Sequence, residues 1–126
     1  MIPTASERDA IFKAFGRAFF RRDVDALYEV VTPDFVWRSH DGGASVVALD
    51  TPDAIRRHFA ERQERIASAR FENVVFHHAD DATFMTFTLS ETERATGAAS
   101  HWVGVERYTF RDGRIAMKDV YRKPAS

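Results

Sequence analysis

Apolar residues recur at helical spacing in three stretches of the N-terminal half. Ile11, Ala14, Phe15, Ala18 and Phe19 share one face of a first helix, and Ser6 with Asp9 three residues on forms a near capping box at its start. Asp23 can cap a short second helix carrying Leu27, Val30 and Val31. Thr32-Pro33-Asp34 should stop it, because the residue before a proline is pushed out of helical space. A strand from Phe35 to His40 is expected next. Asp41-Gly42-Gly43 is a turn signal, and the stretch to Asp50 has no clear period, which fits a loop or short strand over a cavity mouth. Thr51-Pro52 then sets a capping residue before a proline at the first helical position, and Ile55, Phe59, Arg62 and Ile66 mark one face of a third helix.

From Phe71 the period changes to two. Val74, Phe76 and His78 alternate with their neighbours, as do Met85, Phe87 and Leu89, which predicts antiparallel strands. Asp80-Asp81, Thr96-Gly97 and Asp112-Gly113 supply the turns, the last being a strong hairpin dipeptide. Helices first and a strand meander afterwards predict an α+β fold, with the helices on one face of a curved sheet. Residues 1–126 show no repeat, linker or low-complexity tract and read as one domain.

Composition narrows the function classes. Hydrophobic residues make up 44% of the 126, eleven of them Phe, which is ample for one core and excludes a disordered chain. Eighteen basic against nineteen acidic side chains leave no field to hold a nucleic-acid backbone. The absence of cysteine removes disulfides, thiolate metal sites and thiol nucleophiles, and fits a cytoplasmic location. No apolar run approaches the roughly 20 residues needed to span a bilayer, and MIPTASERDA has no secretory pattern, so a soluble, membrane-free protein is expected. No histidine pair has helical zinc spacing, and no glycine-rich phosphate loop or Ser-His-acid grouping is present, so neither metal nor cofactor is expected.

The segments FRRDVDALYEVVTPDFVW and VERYTFRDGRIAMKDVYRK, in this element order, resemble the SnoaL-like branch of the nuclear transport factor 2-like superfamily. The resemblance implies a cone-shaped α+β barrel, with three N-terminal helices packed on a highly curved, mostly antiparallel sheet. A pocket should open at its wide end, lined by one face of each strand. Ketosteroid isomerases, polyketide cyclases, epoxide hydrolases, dehydratases and non-catalytic binders share this fold, so a small-molecule ligand is implied. A homodimer is compatible with it, formed by the outer sheet face with Val103, Val105 and Arg107.

Strand alternation assigns the pocket face. If Tyr108 and Phe110 point inward, so do Glu106, Gly104 and Trp102; on the first strand Phe35, Trp37 and Ser39 share one face and Val36, Arg38 and His40 the other. On the last strand either Lys118, Val120 and Arg122 face inward or, if a bulge intervenes, Asp119 and Tyr121 do. The candidate catalytic residues are Glu106 and Lys118. The candidate ligand-binding residues are Trp37, Ser39, His40, Asp41, Phe87, Trp102, Tyr108 and Val120.

Carried over from the ketosteroid isomerases, the helix tyrosine falls on Phe15, the base on Ser39 and the acidic donor on Glu106, so one position of three matches. His40 or Asp41 could replace the missing base. An ammonium on Lys118 beside Glu106 would keep the carboxylate charged, which suits a general base or acceptor; the plainer reading is an internal ion pair fixing register. The expected function is therefore a cofactor-independent isomerase, cyclase or dehydratase acting on a small apolar oxygenated substrate. The alternatives are a non-catalytic ligand-binding or homodimeric association module.

Overall fold

In the computed structural model, which describes residues 1–40 and 46–125, the chain opens with α1 (Ala5–Arg21). Thr4 caps it, accepting from the Glu7 amide while the Glu7 side chain accepts from the Thr4 amide. The capping box thus starts two residues before the expected Ser6, because threonine followed three residues later by glutamate completes both bonds of the box. The apolar face buries Phe12, Phe15 and Ala18, and Arg22 ends the helix in left-handed geometry at φ 56°.

Asp23 caps α2 (Val24–Leu27) as expected, but this helix lasts a single turn. Val31 already belongs to β1 (Val31–His40), pairing with Ile115, and the expected stop at Thr32-Pro33-Asp34 lies inside that strand. The proline is accommodated where the ladder shifts register between Val31 and Val36. The short β2 (Val47–Leu49) pairs antiparallel with β1. Thr51 and Pro52 begin α3 (Pro52–Arg65), which buries Ile55 and Phe59.

The chain passes from α3 into β3 (Ile66–His78) at Ile66, five residues earlier than the alternation beginning at Phe71 suggests. Ile66, expected on the apolar face of the third helix, is instead the buried first residue of β3, and the residues after it lie on an exposed edge strand and carry no apolar signature. Asn73, at φ 54°, breaks its register between Glu72 and Val75. β4 (Ala82–Glu93), β5 (Ala99–Arg111) and β6 (Arg114–Pro124) complete the meander. Asp112 and Gly113 both have positive φ, 55° and 73°, the mirror-image turn that suits a two-residue hairpin.

The six strands run in the order β2-β1-β6-β5-β4-β3, with β1 and β6 parallel and every other neighbour antiparallel. The sheet is curved but does not close into a barrel, since β2 and β3 remain its edges. Phe12 and Phe15 of α1 pack edge-on against Tyr108, at centroid distances of 4.8 and 5.7 Å, and Phe19 meets Trp37 and Phe59 at 5.5 Å each. Arg8 is buried beneath this contact, donating to the carbonyls of Pro3, Ala82 and Asp80 and so tying α1 to the β3–β4 turn.

Candidate functional site

The Asp112-Gly113 turn fixes how β5 meets β6, with Tyr108 opposite Lys118 and Glu106 opposite Val120. A register shift occurs between Thr109 and Phe110, next to the turn, and beyond it the ladder runs without interruption to Trp102. Lys118 and Val120 therefore share the inner face with Glu106 and Tyr108, while Asp119 and Tyr121 lie on the outer one.

Glu106, Tyr108 and Lys118 are exposed by only 4%, 2% and 3%. The Tyr108 hydroxyl donates to Glu106 Oε1, and Lys118 Nζ stands 3.7 Å from the same oxygen. The ammonium also lies over the rings of Phe19 and Trp37, 4.1 and 4.2 Å from their centroids. Ring faces carry negative potential, so they offset part of the hydration the cation has lost. Burial pushes the Tyr108 hydroxyl well above its ordinary range, and the charge of Glu106 and the bond to it add to the rise. Burial lowers the Lys118 pKa, with Glu106 pulling the other way.

Glu106 and Lys118 form a shared wall of two cavities. The larger, about 530 Å³, lies among α3, β1 and the strands, and Trp37, Ser39, Phe87 and Val120 line it. The smaller, about 370 Å³, lies between α1 and β3 to β5, and Tyr108 lines it. His58 reaches the larger cavity from α3 with its ring edge-on to Trp37 at 4.9 Å. Burial first, then the nearby Arg62 charge, lower its pKa to about 4, so it is neutral at pH 7. Arg62 and Arg122, which also line the larger cavity, converge on the buried Glu91 carboxylate behind it: Arg62 pairs with that carboxylate and Arg122 Nη1 stands 3.8 Å from it. Trp37 Nε1 is buried without a hydrogen-bond partner.

Six of the ten residues singled out in the sequence, namely Glu106, Lys118, Trp37, Ser39, Phe87 and Val120, border the larger cavity, and Tyr108 borders the smaller. His40 does not join them. Alternation places it on the outer face, where its Nε2 lies 2.9 Å from Asp119 Oδ1 and its ring stacks on Tyr121 at 4.4 Å. Trp102 lines neither cavity; it is half-buried under the Arg122 guanidinium, 4.5 Å away, and its indole N–H donates to Ser100. Asp41 lies outside the described residues.

Sequence reasoning missed the charged cluster around Glu91. A signal was present, since Arg62 interrupts the apolar face of α3 and Glu91 continues the inward alternation of Phe87 and Leu89. At the two unmatched isomerase positions stand Phe15, packed against Tyr108, and Ser39, on the cavity wall. The hydroxyl that reaches Glu106 comes instead from its own strand, two residues along.

Among curated proteins none matches the chain in sequence. Among solved structures, an NTF2-like protein from Burkholderia xenovorans LB400 superposes with a TM-score of 0.81 at 16% identity, covering 94% of this chain and 91% of the other. A candidate polyketide cyclase from Xanthomonas campestris pv. campestris gives 0.74 at 16% identity, covering 92% and 90%. A protein with a ketosteroid isomerase-like fold from Catenulispora acidiphila DSM 44928, solved with trimethylamine, gives 0.71 at 14% identity, covering 88% and 83%. The model of the SnoaL-like domain matches residues 12–117. The chain therefore belongs to the SnoaL-like domain family and has the nuclear transport factor 2-like fold.

Proposed function

We propose that the chain binds a small apolar molecule bearing oxygen functions and acts on it by cofactor-independent acid–base chemistry of the isomerase, cyclase or dehydratase kind. One observation carries this reading: a carboxylate and an ammonium, each at least 95% buried, stand together on a wall common to two cavities. Hiding two charges from water is costly, and hydrophobic replacements of similar volume are often as stable. Lys118, whose pKa burial lowers, lines both cavities beside that carboxylate, the setting in which catalytic groups are found.

In this reading Glu106 takes a proton from a carbon or hydroxyl of the substrate. Lys118 supplies positive charge to the oxygen on which negative charge develops, a stabilisation worth more in a dry site than in water. The Tyr108 hydroxyl fixes the carboxylate, while Trp37 and Phe87 hold the apolar body. The match of the candidate polyketide cyclase in fold is consistent with such chemistry. Half-buried Val103 and Val105 and the exposed Tyr121 on the outer sheet face support the further proposal that two copies associate there.

The test is a screen of cyclic ketones and β-hydroxy ketones for turnover by the native protein, repeated with Glu106→Gln. Loss of at least a hundredfold in kcat with an unchanged circular dichroism spectrum supports the base. Equal turnover removes Glu106 from the mechanism. Binding without turnover in either protein replaces the enzyme with a carrier.

A further inference from the structure

The two cavities share Glu106 and Lys118 in their linings but differ in chemistry. The smaller is walled by rings of α1 on one side and by Phe76 and Met85 of the sheet on the other. Among the described residues the larger is bordered by five Lys or Arg side chains against two Glu, and with Arg122 set aside it stays net positive even when Glu91, the partner of Arg62 behind the lining, is counted. Arg62, whose side chain is only 23% exposed, is paired with Glu91 on one side and borders the cavity on the other, where water screens its charge less than at an open surface. Lys13 and Arg17 add exposed positive charge at the rim of the smaller cavity.

Gly16 bears on the same question. It sits in the middle of the 17-residue α1 and lines the smaller cavity, yet a Cβ added there meets nothing within 4 Å. Glycine weakens a helix interior, so local order gains nothing from it. What it leaves is space between α1 and the sheet.

Building on the small-molecule reading of this site, we propose that its ligand is an elongated amphipathic anion, a carboxylate on an aryl or alkyl body. The body lies in the channel between α1 and the sheet, and the charged end faces Arg62 in the larger cavity. Charge complementarity favours this class over a neutral molecule and excludes a cation.

Isothermal titration at low salt with 8-phenyloctanoate, 8-phenyloctan-1-ol and 8-phenyloctylamine separates head-group charge from body shape. The carboxylate should bind at least tenfold tighter than the alcohol, with the amine weakest and the spread narrowing as salt rises. Gly16→Leu should weaken carboxylate binding tenfold or more with unchanged helicity, by filling the channel. Arg62→Gln should cut the preference of carboxylate over alcohol below threefold; should that variant not fold, the ligand series and Gly16→Leu decide alone. An amine that binds as well as the carboxylate overturns the proposal, as does no binding of any probe or a Gly16→Leu protein of native affinity. The catalytic reading fails separately: carboxylate preference without any turnover leaves this inference standing, and Glu106-dependent turnover without the preference leaves only the chemistry.

Discussion

Lys118 Nζ lies 3.7 Å from Glu106 Oε1 although the two residues are not opposite each other in the ladder, where Tyr108 faces Lys118 and Val120 faces Glu106. The contact is diagonal, across adjacent strands on one face, a distance that long side chains span readily. The Tyr108 hydroxyl also falls on Oε1, so donor and cation converge on one carboxylate oxygen.

Breaking this pair on one side strands the other charge in the core. Lys118→Met should cost about 3–5 kcal/mol, and Glu106→Gln with Lys118→Met together should cost less than the sum of the single changes. Urea unfolding of the four proteins at pH 7 gives the coupling directly. A coupling near zero would mean that the two charges are held independently.

The His58 imidazole is neutral in the folded protein down to about pH 4, whereas in the unfolded chain it protonates near 6.5. Between those values the unfolded state binds the extra proton, so stability rises with pH. The contribution is fully present above pH 6.5 and is lost as pH falls toward 4. Partial exposure of the ring reduces it to about 1–2 kcal/mol. Urea midpoints measured from pH 7 to 4 should drop more for the native protein than for His58→Leu.

Gly104 gives Phe87 its place across β5. A Cβ there would stand 2.5 Å from Phe87 Cζ and 2.9 Å from the Tyr121 carbonyl oxygen. Gly104→Ala should therefore destabilise by about 1–3 kcal/mol, the usual range for overpacking a filled core. Adding Phe87→Leu should recover only part of the loss, since the backbone carbonyl cannot withdraw. Thermal melts of both variants check this.

Gly16 calls for the opposite outcome. With open space around its Cα and ordinary helical geometry, Gly16→Ala should raise stability by about 0.5–1 kcal/mol while leaving the channel passable. A higher melting temperature with unchanged ligand affinity is the expected result.

The sequence made the turn dipeptides, the helix caps at Asp23 and Thr51, and the inner face of β5 legible, because each rests on a local rule of geometry. β3 began earlier than expected because an exposed edge strand has no buried face to write a period into its residues. The one-turn α2 was overextended because Val30 and Val31 suit helix and strand alike, and the pairing of Val31 with Ile115, more than eighty positions away, decides between them. Glu106 and Lys118 were found by alternation. The Tyr108 bond to Glu106 was not, since both side chains lie on one strand and their meeting depends on how the rings of Phe12 and Phe15 turn the phenol.

The parallel pairing of β1 with β6 ties an early segment of the chain to one of its last. During synthesis β1 emerges with only the three residues of β2 to pair with nearby, and its inner residues Phe35 and Trp37 stay uncovered on that side until β6 leaves the ribosome. Closing so long a loop also makes this contact a late one in refolding. A nascent chain stalled before residue 114 should thus be a substrate for general chaperones, and release of the final strand should be the step that frees it.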